Sequence, residues 1–346
     1  MTRPAAPLRL SLDGDALVHN WRALAAMSGD AACGAAVKAD GYGLGARDVV
    51  RRLAQAGCRD FFVATWAEAA ALADLEPASL AVLHGVRDED MAFALASPAR
   101  PVLASAAQVA RWRDAGGGAC DVMVDTGMNR LGVSADDIIA GLLDGLTIDT
   151  LMSHLACADE SVPMNARQRD AFAGLAGRTS ARRLSLANSA GIALGADYHF
   201  DLTRPGIALY GGAQCAAHAE RIRQVVFPQA QILQRRRVPT GETVGYNATW
   251  TAPADTQVAI LNIGYADGYL RSFSGKGRAH SGDRALPVLG RVSMDLLAVG
   301  VDAAPELAEG DWIGIDYALP ETAALSGLSQ YELLTGLGQR FARVWK

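Results

Sequence analysis

The stretch AAVKADGYGLGA, residues 35–46, decides how this chain is to be read. A short apolar run leads straight into Lys38, and glycines at 41, 43 and 45 then frame Tyr42. The run has the texture of a parallel strand covered on both faces. Ending such a strand on an inward lysine is costly, because an ammonium gives up its hydration when buried. A lysine in that position asks for a chemical reason.

Outward from it the same texture recurs. The apolar runs are AAVKA (35–39), FFVAT (61–65), LAVLHG (80–85), RPVLAS (100–105), CDVMVD (120–125), LTIDTLMSH (146–154), RRLSLANS (182–189) and RPGIALYG (204–211). Between them ARDVVRRLAQAG, AEAAALADL, SADDIIAGLLD and NARQRDAFAGLAG carry apolar residues at three- and four-residue spacing, the helical period. Strand and helix in alternation make a β/α fold. About eight such units point to a closed (β/α)8 barrel of the TIM type more than to an open sheet. Near residue 225 the texture shifts to β-prone runs broken by Gly, Pro and Asp, and no long helix is expected before SQYELLTGLGQRFARVW, residues 329–345. The expected division is a barrel domain over 1–224 and a mainly-β domain over 225–346.

The chain has 346 residues, 32 basic against 37 acidic and half apolar, so a large core is available and no basic face marks a nucleic-acid partner. Five cysteines without CxxC spacing read as reduced thiols. No stretch has the roughly 20 apolar residues of a membrane span, and no signal peptide is evident. A cytoplasmic protein without a metal is the expectation.

In barrels of this kind active sites gather at the carboxyl ends of the strands. Those ends supply Lys38, Arg130, His154, Asn188, Ser189, Arg204, Gly206 and Ile207. A single such lysine usually snorkels to water and a single histidine is usually a satisfied core residue; agreement across five strands is what marks a site. NSAG (188–191) and PGI (205–207) offer a hydroxyl and close-approaching backbone to a phosphate. A lysine facing a phosphate site fits a phosphorylated aldehyde held as an imine, pyridoxal 5'-phosphate above all.

AVKADGYGLGA resembles the cofactor-lysine signature of the alanine racemase family, the fold type III pyridoxal phosphate enzymes. VDTGMNRLG (124–132), SHLACAD (153–159), LANSAG (186–191), RPGIALYGG (204–212), VGYNATWTAP (244–253), IGYADGYLR (263–271), GRVSMD (290–295) and QYELLTGL (330–337) look like its successive blocks, in order. The resemblance implies that Lys38 carries the cofactor and acts as one base, with Tyr246 as the second. Tyr42, Ser189 and the backbone at Gly206 and Ile207 would hold the phosphate, with Asn188 beside them. Arg204 would face the pyridine nitrogen and His154 the ring. Arg130, Met294, Asp295 and Tyr265 would meet the substrate, and Tyr331 would stand at the entrance against the cofactor. The resemblance also implies a homodimer whose sites are completed by the partner's Tyr246, and a role supplying D-alanine for peptidoglycan. Two bulky entrance tyrosines favour a small amino acid.

Three positions depart from the family pattern. Met123 stands where a modified lysine often steadies the arginine equivalent to Arg130, Ser293 replaces a common cysteine, and Trp250 a common tyrosine. Two alternatives remain open on the sequence: a broader small-amino-acid racemase, serine included, on the same scaffold, and a non-catalytic pyridoxal phosphate-binding protein. A basic-amino-acid decarboxylase is disfavoured, since GRVSMD lacks the cysteine such enzymes use.

Overall fold

The computed structural model describes residues 5–346 and resolves into two compact units. One is continuous, Leu17–Arg223; the other joins the segment ending at Ala16 to Gln224–Lys346.

The continuous unit is built on a seven-stranded parallel sheet in sequence order, from Ala35–Ala36 through Asp60–Val63, Ser79–Val82, Arg100–Leu103, Cys120–Met123 and Ile148–Met152 to Arg183–Ser185. Ala32–Cys33 and Leu202–Thr203 pair in parallel and close the ring. The Asp201 N–H donates to Leu184 at 3.0 Å and Arg204 N–H to Ala187 at 2.8 Å, while Gly34 and Ala36 N–H groups reach Thr203 and Pro205 at 2.9 Å. The (β/α)8 reading therefore holds. Helices follow from local sequence: Ala46–Ala56 buries Val49, Val50 and Leu53 along one stripe and stops at Gly57, whose φ of +114° disfavours a side chain.

A set of ion pairs floors this barrel at the amino ends of its strands. Arg183 holds Asp60 and Asp149, both at 2.8 Å, and Arg100 holds Asp149 at 3.1 Å and Asp121 at 3.3 Å. Burial outweighs Arg100 at Asp121 and pushes that carboxyl up to about 6.

The other unit is a largely antiparallel sheet in which the 13-residue strand Val226–Val238 is the hub. Its first half pairs with Leu8–Leu12 and Trp312–Ile315, its second with Thr256–Leu261, and the register shifts between Ile232 and Gln234, where the strand changes neighbours.

Four sequence expectations need amendment. The eighth strand is Leu202–Thr203, upstream of RPGIALYG, whose Ile207–Tyr210 forms a 3-10 turn instead. Pro205 has no N–H for a ladder, and the Gly206–Ile207 backbone leaves the sheet at the strand's end. AAVKA ends as a strand at Ala36, and Lys38 begins a turn. The barrel does not begin at the chain's start: Leu8–Leu12 lies in the β unit, and nothing in LRLSL says which sheet it joins. The C-terminal run is helical only over Gln330–Thr335; beyond Gly336 and Gly338, Ala342–Trp345 is a strand parallel to Leu8–Leu12.

Candidate active site

After the buried Val37 the backbone turns left-handed. Ala39, Asp40, Gly41 and Tyr42 have φ of +53°, +53°, +63° and +56°. For the non-glycine residues this costs about 1–2 kcal/mol each, and strain of that kind persists only where surroundings enforce it. Here the Glu68 carboxylate accepts from the Ala39 N–H at 2.7 Å, the Asp40 carboxylate accepts from the Ala46 N–H at 2.8 Å, and Gly43 and Gly45 N–H groups close back on Ala39 and Asp40 at 2.8 Å. The turn drops Tyr42 into the interior, where its ring stacks on Tyr210 at 4.6 Å.

Lys38 is half-buried, and no carboxylate lies within ion-pair reach of its amine among the described residues. Desolvation first, then Arg130, holds its pKa below the usual lysine range, while Glu68 pulls the other way. A larger neutral fraction makes it a better nucleophile and base.

His154, at the end of Ile148–Met152, is pushed down to about 3 by desolvation and then by Arg204, Arg130 and Lys38. Its imidazole is neutral at physiological pH. Those mutual effects place Lys38, Arg130, His154 and Arg204 around one mouth. Arg204 is buried, donates to Ser185 Oγ and to the Ser153 carbonyl, and is pulled down by burial to about 10, so it stays cationic. Arg130 is exposed, and among the described residues its guanidinium has no acidic partner. Its backbone is what is fixed: the Asp125 carboxylate accepts from Gly127 and Arg130 N–H at 2.7 and 3.2 Å. Burial opposes ionisation of Asp125, but these backbone N–H groups prevail and hold its pKa down. Met123, buried at the end of its strand, offers Arg130 no counter-charge.

Across the mouth Ser189 Oγ accepts from Gly206 N–H at 2.8 Å and Ala208 N–H at 3.3 Å, and Asn188 caps the turn Ser189–Ile192 through the Gly191 N–H at 2.9 Å. Asn188 thus shapes the loop. A Cβ at Gly206 would fall 2.2 Å from Tyr42 Oη, so glycine lets the lysine-bearing turn meet the loop before Ile207. Cationic side chains, a desolvated amine and this backbone cradle fit a phosphorylated aldehyde.

The β unit carries the other expected residues. Tyr246 is 64% exposed on a loop where Asn247 and Ala248 have φ of +64° and +47°, and among the described residues its hydroxyl has no hydrogen-bond partner. Tyr265 opens the turn Tyr265–Asp267 with Arg271 over its ring, Met294 is 53% exposed, Asp295 is half exposed, and Tyr331 projects from Gln330–Thr335.

Several residues escaped sequence reading. Glu68 was visible as the end of a Thr65-x-x-Glu68 capping box, but its grip on Ala39 was not. Gln168 joins the His154 carbonyl at 2.9 Å to Thr126 at 3.3 Å, and Tyr210 donates to the Ala36 carbonyl at 2.8 Å; no local signal announces either.

The profile of the alanine racemase N-terminal domain matches residues 12–214 and that of the alanine racemase C-terminal domain residues 225–345. An alanine racemase of Acidiphilium cryptum is 44% identical, the match covering 97% of this chain and 98% of that protein. A biosynthetic alanine racemase of Agrobacterium fabrum is 43% identical over 98% and 93%. Among solved structures, the alanine racemase of Bartonella henselae with covalently bound pyridoxal phosphate superposes with a TM-score of 0.90 at 34% identity, over 99% of this chain and all of that one.

Proposed function

The chain belongs to the alanine racemase family, a pyridoxal phosphate-dependent isomerase that interconverts L- and D-alanine, and from that premise we propose how its own residues divide the work. Lys38 carries the cofactor and serves one face of the substrate; Tyr246 serves the other. When bound, pyridoxal phosphate supplies an aldehyde for imine formation and an electron sink that acidifies the α-proton. Ser189, Tyr42 and the backbone at Gly206 and Ile207 hold its phosphate. Arg204, already held by Ser185 and Ser153, presents a fixed cation to the ring nitrogen, which disfavours protonation there and restrains side reactions. His154 would contact the ring as a neutral imidazole. Arg130 binds the substrate carboxylate. Met294, Asp295 and Tyr265 bound the side-chain pocket, with Tyr331 at the entrance.

The observation that carries this reading is the amine of Lys38, desolvated and without a carboxylate partner among the described residues, facing a cationic mouth. An amine left that way is primed for covalent chemistry. Proton transfer from opposite faces then needs a second base, and Tyr246 stands exposed with a hydroxyl that has no hydrogen-bond partner among the described residues.

We further infer a cytoplasmic homodimer in which each Tyr246 serves the partner's Lys38, the product D-alanine going to peptidoglycan. The chain has no helix long and apolar enough to cross a membrane among its described residues. Mixing two inactive variants, Lys38→Ala and Tyr246→Phe, tests the sharing. Each mixed dimer then rebuilds one intact site, and about a quarter of wild-type activity returns on random re-pairing of a symmetric dimer. No recovery after verified subunit exchange sinks the shared site. Failure of the wild-type holoenzyme to racemise alanine sinks the whole assignment.

A further inference from the structure

Two segments of the β unit meet at Arg340. Its guanidinium forks onto the fully buried Asp267 carboxylate, Nε to Oδ1 at 2.6 Å and Nη2 to Oδ2 at 2.7 Å, and Nη1 reaches Asp295 at 2.6 Å. Asp267 in turn accepts from the Gly264 N–H at 3.0 Å, closing the turn that begins with Tyr265. Tyr265 and Ala266 N–H groups donate to the Ser293 and Met294 carbonyls at 3.0 Å, and the Gly338 N–H donates to the Asp267 carbonyl at 3.2 Å. Backbone fits against backbone throughout: a Cβ at Gly264 would meet the Met294 carbonyl at 2.3 Å, and one at Gly268 the Gly336 carbonyl at 2.4 Å. Gly336 directly follows the helix that carries Tyr331.

A bidentate guanidinium–carboxylate pair fixes direction as well as distance. Asp267 sits 0% exposed, so its charge requires that partner. The third N–H group then pins Asp295, which is otherwise half exposed. One side chain thus couples the floor of the Tyr265 turn to the tip of the Met294–Asp295 loop.

We propose that Arg340 is a positioning residue that locks these two loops together and so sets the width of the amino-acid side-chain pocket. This rests on the placement of Tyr265, Met294 and Asp295 at the substrate given above. With the lock intact the pocket admits a methyl side chain; with it released the Asp295 loop swings free and larger side chains are accommodated.

The test uses the holoenzyme carrying Arg340→Met, and separately Asp295→Asn, which weakens only the outer contact and leaves Asp267 paired. For Arg340→Met the expected result is a KM for alanine raised roughly fivefold or more with a smaller change in kcat. The serine-to-alanine ratio of kcat/KM should rise, and amide hydrogen exchange across residues 293–296 should quicken. Asp295→Asn should move the same ratio in the same direction with little loss of thermal stability. A lower melting temperature in Arg340→Met with KM and the serine-to-alanine ratio unchanged in both variants overturns the proposal, leaving Arg340 a structural residue only. Should the wild type fail to act on alanine, the substrate assignment falls, and unchanged exchange at 293–296 in Arg340→Met would overturn the lock independently.

Discussion

Lys38 and Tyr246 live in opposite circumstances. Lys38 sits on a strained turn in the barrel unit, enclosed by Glu68, Arg130, His154 and Arg204, all of which act on its own or its neighbour's charge. Tyr246 sits on a loop of the β unit, 64% exposed and without a hydrogen-bond partner among the described residues. The barrel unit has already met the desolvation cost of its cations within itself. The β unit instead carries Tyr246 and Met294 largely exposed. A group whose pKa is shifted by burial and neighbouring charge marks a candidate site within its own unit.

The largest expected effect breaks this contrast at its buried end. Lys38→Ala should lower racemisation by at least about a thousandfold in both directions, since an activated nucleophile and a base go together. Borohydride followed by mass spectrometry should then find no trapped cofactor, whereas wild type retains it. At the exposed end, Tyr246→Phe should lower turnover by roughly a hundredfold or more while the melting temperature and cofactor absorbance stay at wild-type values. A large loss of stability in that variant would show that the loop is not the open element described.

Gly206→Ala probes how closely the phosphate cradle meets the lysine turn. The new methyl would overlap Tyr42 Oη at 2.2 Å, and overpacking of this kind costs about 1–3 kcal/mol. Cofactor affinity, measured by fluorescence titration of the apoenzyme, should fall about tenfold or more. The variant should also melt at a lower temperature, and adding Tyr42→Phe, which removes the clashing oxygen, should recover part of that lost stability.

The barrel floor gives a pH-dependent prediction of similar size. Asp121 titrates higher in the folded chain, about 6, than in the unfolded one. The native state therefore binds more protons between those values, and stability from this group is lost as pH rises through 6. Asp121→Asn should be more favourable at pH 8 than at pH 4 by an amount on the order of 2 kcal/mol. Chemical denaturation at the two pH values checks it, and a pH-independent difference would contradict the raised carboxyl. The smallest effect is expected of Glu68→Ala, which removes the carboxylate that accepts from the Ala64 and Thr65 N–H groups at the helix start and that anchors Ala39. About 1–2 kcal/mol of stability should be lost, together with slower covalent capture of cofactor by the apoenzyme.

Much of the barrel was legible because its strands are short apolar runs at even spacing and its candidate site residues fall where such strands end. Legibility failed where a residue's state depends on distant partners. LRLSL joins the β unit through pairings with residues more than two hundred positions away. Ala342–Trp345 is a strand because Leu8–Leu12 lies beside it, and the period of four residues cannot announce that. RPGIALYG had the apolar content of a strand, yet backbone pairing with its neighbours ends at Pro205 and Ile207–Tyr210 turns into a 3-10 helix. At the site, residue types were readable and their electrical condition was not. Nothing in VDTGMNRLG tells that, among the described residues, Arg130 is held by its backbone without an acidic partner, or in SHLACAD that His154 is neutral.

The sequence by itself determined the order of elements, the chemistry available at position 38 and the family blocks around it, because period, turn residues and side-chain type are local properties. Only the tertiary structure decided the left-handed turn after Lys38, the depressed His154 and the Arg340 fork joining Asp267 to Asp295. Those depend on desolvation and on charges brought together from far along the chain, and an interaction that exists only after folding leaves no periodic trace before it.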